Sequence, residues 1–306
     1  MSAAKGKILV IRGGAIGDFI LTLPAIAALR QQFPEAHLEI LGYPHIAQLA
    51  LAGGLVNQVQ PIEARGLAGF FARKGELSAE WQDYFSEFDL IISYLYDPDD
   101  FFKANVGRSL HGQFIQGPHR PDESERVHAT RVYLKPLERL AIFGADEVPR
   151  LVVQKSHRPQ PVLALHPGSG SEQKNWPEKN WGELLGTLAA KTQYPFLLVG
   201  GEVEGRRLPR LAAQLPADRV QLAQSLPLTE LAARLQSCAA YVGHDSGISH
   251  LAAALGVPSL ILWADTIEEI WRPQGDRVTV IRETAGLRAL RVRRVTEELA
   301  RVLFRE

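Results

Sequence analysis

The sequence predicts an α/β protein of two Rossmann-like domains with parallel sheets facing a cleft. Three observations predict it. Apolar, strand-like runs alternate with helical patterns along most of the chain. The runs are continuously apolar, as strands covered by helices on both faces must be. A polar stretch at Gln154 to Pro161, with Pro159 and Pro161, breaks the series, which then restarts. Strands are expected at 7–12, 37–43, 89–95, 161–166, 195–201, 239–243, 259–263 and 278–282. Helices are expected at 18–33, 126–143, 178–193, 203–215, 227–237 and 246–255. The break divides the chain into domains 1–156 and 157–306, each near the usual domain size.

The first element, Lys7 to Arg12, is an apolar strand ending on a cation. Gly13 to Asp18 form a turn, and Phe19 to Phe33 a helix. The pattern resembles a dinucleotide fingerprint, but Arg12 stands where the first glycine belongs. That counts against a nicotinamide oxidoreductase. Asp18 lies in the first helical turn, next to Gly17, where the helix dipole favours a carboxylate. Two readings follow: an acid that stabilises the helix start, or a general base. Pro24 falls inside the helical pattern and predicts a kink or an early turn there.

In the second half, Val162 to Leu165 run into Gly168-Ser169-Gly170-Ser171 and then Lys174. Glycine and serine permit close backbone approach to an anion, their N–H groups can form a nest, and Lys174 adds a full positive charge. The loop lacks the Gly-Lys-Ser/Thr ending of a Walker A motif. Further on, Ala239 to Val242 lead into Gly243-His244-Asp245-Ser246-Gly247 and a helix that Gly256 and Pro258 end. A helix start after a small-residue turn offers free N–H groups to a phosphate. A helix cap requires one of Asp245 or Ser246. It does not require His244, Asp245, Ser246, Ser249 and His250 around one turn, so a ligand site is expected here.

The whole chain sets bounds. Its 306 residues carry 34 Lys+Arg and 34 Asp+Glu, so nothing demands nucleic acid. The one cysteine, Cys238, excludes an internal disulfide, reads as a packed thiol and fits a reducing cytoplasm. The apolar run at Ile8 to Ile11 is too short for a signal peptide. Gly256 and Pro258 interrupt the strongest apolar region, so no membrane-spanning helix is expected. Asp97-Pro98-Asp99-Asp100 looks like a metal-binding acid pair, yet the phosphate candidates lie in the other half. A loop-capping or acceptor-side role is expected for it, and no metal. Arg282, Arg288, Arg291, Arg293, Arg294, Arg301 and Arg305 form a charge run that reads as a solvated face. With Leu287, Leu290 and Val292 it could alternatively touch anionic lipid.

Taken together, Ile8 to Pro24, Asp89 to Lys103, His166 to Trp181, Gly200 to Glu204 and Leu226 to Pro258 resemble glycosyltransferase family 9, the ADP-heptose:lipopolysaccharide heptosyltransferases. The block from His244 to Ala253 is the most specific. The match weakens over 60–85 and 105–150, where the acceptor would bind. The resemblance implies a GT-B fold with the last helix, about Thr296 to Phe304, packing back on the first domain. It implies a cytoplasmic enzyme, with peripheral attachment to the membrane's inner face as the alternative to a free one. It implies inverting transfer from ADP-heptose or a related nucleotide sugar to a lipopolysaccharide core or similar hydroxyl. Asp18 would be the catalytic base, and Lys174 would hold the donor's phosphates. Gly17, Ser169, Gly170 and Ser171 would line the phosphate loops, and Asp245, Ser246, Gly247 and His250 the nucleotide-sugar pocket. Glu202 or Glu204 would reach the ribose, and backbone near Leu226 the adenine. Lys103, Arg108 or Arg120 would hold a phosphorylated acceptor. With a lysine and a helix start facing the diphosphate, neither cofactor nor divalent metal is required. A nucleotide-sugar epimerase and a non-catalytic nucleotide-sugar-binding protein are the rival readings, and the presence of Asp18 counts against the second.

Overall fold

A computed structural model of the chain describes residues 6–153, 161–170, 174–201 and 205–304. It divides into two compact units, Met1–Pro149 and Arg150–Glu306. The boundary thus falls seven residues before the one expected. Backbone and side-chain bonds explain the shift. Leu151 N–H donates to the Ala254 carbonyl, and Val153 N–H to Gln236 Oε1, so this strip belongs to the second unit.

Among the described residues the first unit holds a five-stranded parallel sheet in the order β3-β2-β1-β4-β5. Its strands are β1 (Lys7–Arg12), β2 (His37–Gly42), β3 (Gln58–Pro61), β4 (Leu90–Ser93) and β5 (Gln113–Gln116). Its helices include α1 (Ile16–Gln32), α2 (Pro44–Ala52), α3 (Ala79–Ser86), α4 (Phe101–Val106) and α5 (Ala129–Leu134). The second unit holds a six-stranded parallel sheet in the order β11-β10-β9-β6-β7-β8. These strands are β6 (Leu163–His166), β7 (Phe196–Gly200), β8 (Val220–Gln224), β9 (Ala240–His244), β10 (Ser259–Trp263) and β11 (Val278–Arg282). Its helices include α6 (Glu178–Lys191), α7 (Arg207–Ala212), α8 (Leu228–Leu235), α9 (Gly247–Ala254), α10 (Glu268–Trp271) and α11 (Val292–Leu303).

Counted within each unit, both sheets follow the order 3-2-1-4-5, and the second adds a sixth strand. The order reverses between β1 and β4, where Val10 pairs with Ile92, and between β6 and β9, where Leu165 pairs with Val242. In open parallel sheets, ligands bind beyond the carboxyl ends of strands at such a reversal.

Where the structure departs from expectation, the reasons are local. β3 (Gln-Val-Gln-Pro), β5 (Gln-Phe-Ile-Gln) and β8 (Val-Gln-Leu-Ala-Gln) were not expected, and all three are edge strands. An edge strand pairs on one side only and can stay polar. The helix expected at 126–143 is only α5 followed by a 3₁₀ turn, Lys135–Leu140, that Ala141 ends at φ 57°. Pro136 lacks the N–H an α-helix needs there. Pro24 breaks nothing: α1 runs through it, buried in the first unit.

The end of the chain also differs. α11 starts at Val292, and its residues Val292, Val295, Leu299 and Val302 join the second unit's own core with Trp181, Leu184 and Leu188. Its apolar face is therefore occupied within that unit. Leu287 and Leu290 are buried in the same core, which removes the apolar half of the expected lipid contact. The arginines point outward and pair with neighbours: Arg293 with Glu297, Arg294 with Glu283, and Arg301 with Glu298. They form a solvated face. Among the described residues, no helix is long and apolar enough to cross a membrane.

This placement of α11 predicts that Leu299→Ala costs about 2–5 kcal/mol of stability. Arg293→Ala stays within about 0.5 kcal/mol. Urea unfolding followed by tryptophan fluorescence measures both, since Trp176 and Trp181 lie in that core. Equal effects would show that α11 contributes no buried face.

Candidate functional site

In the second unit the candidate residues collect at the carboxyl ends of β6 and β9. β9 ends on His244, which is fully buried. Its Nε2 accepts from the Trp176 N–H at 2.8 Å, so its Nδ1 carries the proton and donates to the Gly168 carbonyl at 3.1 Å. A single neutral imidazole thus ties the loop after β6 to the end of β9. Burial holds its pKa down, at about 3. Trp181 meets the ring edge-on at 5.4 Å, and Trp176 packs against Trp181 at 5.3 Å. Trp176 Nε1 donates to the Leu290 carbonyl, so both ends of that residue are fixed. His244 therefore builds the loop and does not face a ligand. Gly243 is required beside it, because a Cβ there would lie 2.2 Å from the Tyr241 hydroxyl.

The loop so fixed carries Ser169, which is buried, Gly170, and Lys174. At Gly170 an added Cβ would meet nothing, so backbone approach there is open. Lys174 Nζ lies 2.9 Å from Asp245 Oδ2, its side chain one-third exposed and that of Asp245 14% exposed. Thr266, just past β10, donates its hydroxyl to the same Asp245 oxygen. Ser246 caps α9, its hydroxyl accepting from Ser249 N–H at 3.4 Å and meeting His166 Nδ1 at 3.3 Å. Burial keeps His166 neutral, with its pKa near 4. Ser249 is fully buried, its hydroxyl donating to the His244 carbonyl and meeting that of Tyr241 at 3.0 Å. His250 is buried in the next turn of α9. The N–H groups of Gly247 and Ile248 open the helix, where no helical carbonyl lies behind them. Lys174 and a helix start thus adjoin one loop, which Arg207 also reaches through the Pro167 carbonyl, an arrangement suited to a diphosphate. Asp245 is itself an anion, so its place is beside the lysine or a hydroxyl, not a phosphate.

Leu226 is half-buried past the end of β8, with Ser225 at φ 52° before it. It lies at the same edge of the sheet as the loop. Ser171, Glu202 and Glu204 lie outside the described residues.

In the first unit, β1 ends on Arg12, which is 3% exposed, and α1 begins after Gly14 at φ 96°. Gly17 and Asp18 stand in the first turn of α1. Asp18 Oδ2 accepts from the Ala15 N–H at 3.1 Å, and its side chain is 30% exposed. Its Oδ1 lies 3.8 Å from the Arg12 guanidinium. Arg12 also donates to the carbonyls of Asp18 (3.3 Å), Tyr94 (3.3 Å) and His119 (2.9 Å), and lies 4.5 Å from the Tyr133 ring centroid. The sequence flagged Arg12 only as a defect in a glycine pattern. Its contacts with the exits of β4 and β5 are long-range and leave no local signal. Thr266 was missed as well, although a polar Asp-Thr after an apolar strand marks a carboxyl edge.

The three cations expected at the acceptor do not share one place. Arg120 follows β5, is paired with Glu123 at 3.6 Å, and lines a cavity of about 830 Å³ with Gln116, Val132, Pro136 and Phe143. Lys103 sits early in α4, 3.5 Å from Asp100. Arg108 lies past the far end of α4, on the approach to β5, where it donates to the Gly75 carbonyl. Parallel pairing puts the start of β5 at the sheet edge opposite Asp18, so the structure does not group Arg108 with it. Asp97 accepts from the N–H groups of Phe102 and Lys103 and so caps α4, while Asp99 is exposed. Among the described residues, no group of three or more His, Cys, Asp or Glu is placed to hold a metal ion. Cys238 is buried, and burial raises its thiol to about 12.

His244 and His166, both buried and held neutral, make the second unit acid-sensitive. Their folded pKa values, about 3 and about 4, lie below the ordinary imidazole value of 6.5. The unfolded chain therefore takes up protons first as the pH falls below about 6.5, and stability drops from there towards pH 4. Tm is expected to fall between pH 7 and pH 5. In His244→Asn, whose amide can donate and accept but does not titrate, Tm at pH 7 is lower and the acid slope shallower. Thermal melts across this range test it, and an unchanged slope would clear His244 of the effect.

Comparison with known proteins accords with this geometry. The model of glycosyltransferase family 9 (heptosyltransferase) matches residues 142–299. Lipopolysaccharide heptosyltransferase 1 of Pseudomonas aeruginosa is 24% identical over 290 residues, covering 85% of this chain and 79% of that protein. The structure of E. coli ADP-heptose lipopolysaccharide heptosyltransferase II superposes with a TM-score of 0.79 at 19% identity, covering 97% of this chain and 98% of that one. E. coli heptosyltransferase WaaC with ADP gives 0.76 at 21% identity, covering 97% and 99%. These structural likenesses establish the two-domain GT-B fold. With the family model spanning more than half of its length, the chain belongs to glycosyltransferase family 9, the heptosyltransferases, and is a glycosyltransferase.

Proposed function

We propose that this protein transfers a heptose, or a closely related sugar, from ADP-heptose to a hydroxyl of a lipopolysaccharide core or similar glycolipid, with inversion and without a divalent metal or other cofactor. The observation that carries the proposal is the placing of chemistry at both strand-order reversals. Asp18 stands beyond β1 in one unit; Lys174, Asp245 and the start of α9 stand beyond β6 and β9 in the other. The donor is taken from relatives whose solved structures hold ADP and ADP-2-deoxy-2-fluoro heptose.

In this reading the acceptor hydroxyl attacks the anomeric carbon as the bond to the diphosphate oxygen breaks. Asp18 accepts the hydroxyl proton on Oδ1, since Oδ2 is engaged by Ala15. Charge accumulates on the departing diphosphate. Lys174 and the N–H groups of Gly247 and Ile248 meet it, already in place before the bond breaks. Asp245, fixed by Thr266, orients the lysine and is free to meet a sugar hydroxyl. Ser169, Gly170 and Ser171 are assigned to the phosphate loop, and Ser246 and His250 to the pocket wall. Leu226 is assigned to the adenine, and Glu202 or Glu204 to the ribose. Of the acceptor cations, Arg120 and Lys103 fit the reading and Arg108 does not. A glycolipid acceptor places the reaction at a membrane surface, with the enzyme on its cytoplasmic side.

Thermal-shift titration with nucleoside diphosphates tests the donor, because a ligand of the native state raises the midpoint. ADP is expected to stabilise the protein more than UDP or GDP. An equal or larger shift with UDP would remove the adenine assignment.

Asp18→Asn is expected to lower turnover by about 10²–10⁴-fold while ADP binding stays unchanged. An amide keeps the shape and the cap of α1 but cannot take the proton. Transfer in the native protein is expected to persist in EDTA. Full turnover in Asp18→Asn would place the base elsewhere, and loss on chelation restored by magnesium would require a metal.

A further inference from the structure

We propose that Arg12 is a positioning residue for the base, and that the cation standing in place of the first glycine of the β1 turn fixes the Asp18 carboxylate for proton transfer. This rests on the reading of Asp18 as the base.

A cation buried to 3% exposure at the end of β1 is a costly way to fill space. Its contacts show what it holds. The guanidinium donates to the main-chain oxygens of Asp18, Tyr94 and His119, which belong to the start of α1 and the exits of β4 and β5. One planar fork thus joins three segments that meet at the strand-order reversal, with a fixed geometry that a flexible ammonium or a neutral amide does not supply. The Asp18 carbonyl also accepts from the Thr22 hydroxyl at 2.8 Å, so its backbone is held from two sides.

The carboxylate is then constrained from its own two oxygens. Ala15 N–H engages Oδ2 at 3.1 Å. Oδ1 faces the guanidinium at 3.8 Å, too far for a direct hydrogen bond and close enough for a strong Coulombic attraction. The distance leaves the lone pairs of Oδ1 open to a hydroxyl. Other titratable groups couple electrostatically to this pair. His119 is pushed down by burial and then by Arg12 and Arg120, with Asp18 opposing. Tyr133 is pushed up by burial and stays neutral. Arg12 and Arg120 are the cations named in both couplings, and Arg12 is the buried one.

The test is the split between kcat and KM, with inner-core lipopolysaccharide oligosaccharide as the acceptor probe and ADP-heptose as donor, and with active sites counted by ADP titration. Arg12→Gln and Arg12→Lys, which both lose the fork, are expected to lower kcat per ADP-binding site at least tenfold with donor KM unchanged. A role in folding alone lowers the number of ADP-binding sites and leaves kcat per site as in the native enzyme. An undiminished kcat per site in Arg12→Lys would overturn the proposal, and so it would in Arg12→Gln. Asp18→Asn keeps the two readings apart. If it is inactive and kcat per site is undiminished in Arg12→Lys, only the role of Arg12 falls; if it turns over normally, the base assignment falls first.

Discussion

Parallel pairing of β1 with β4, and of β6 with β9, is the constraint on which the rest depends. Parallel strands send all their carboxyl ends to one edge of the sheet, and reversal of the strand order opens a crevice there. Residues distant in the chain then become neighbours without further design. Arg12 reaches Tyr94 and His119 because β1 lies next to β4 and β4 next to β5. Gly168 and His244 meet because β6 lies next to β9. The cores beneath supply the stability that lets this edge be polar. Trp176, Trp181 and the leucines of α6 pack under one sheet, and Phe70, Phe85 and Phe102 under the other.

The two units complete that edge by different chemistry. In the first, a buried cation gathers three carbonyls and faces a carboxylate. In the second, a neutral imidazole accepts from one backbone N–H and donates to one carbonyl. In both, buried polar groups are bonded to backbone, with Arg12 Nε the exception. The choice has consequences. An arginine stays charged at any physiological pH and so contributes a permanent field to its surroundings. A histidine held neutral by burial contributes geometry and no charge, which leaves Lys174 as the cation beside the α9 turn.

Lys174 is already engaged before any ligand arrives. Its pairing with Asp245, and the bond from Thr266 to the same oxygen, fix a long side chain that would otherwise lose conformational freedom on meeting a diphosphate. A partly exposed ion pair of this kind adds little to stability. Its value lies in holding the positive charge next to the first turn of α9, where the N–H groups of Gly247 and Ile248 add to it.

Most of the central strands were legible because each is buried on both faces and reads as an apolar run. β10 and β1 fall at the residues expected, and so does β11, an edge strand whose β-branched Val278, Thr279, Val280 and Ile281 still mark it. Edge strands β3, β5 and β8 were not legible, since a strand covered on one side needs no apolar run. The sites divide in the same way. Glycine and serine turns after strands are local features, so Asp18, Ser169, Lys174 and Asp245 could be picked out from composition and spacing. By itself the sequence determined the α/β class with its two parallel-sheet halves, and it marked the polar turns that follow the central strands. Only the tertiary structure decided that His244 builds a loop, that Arg12 bears on Asp18, that Arg108 points elsewhere, and that α11 belongs to the second unit. Those outcomes depend on contacts across tens of residues, set by strand order and burial, and no local pattern in the chain encodes them.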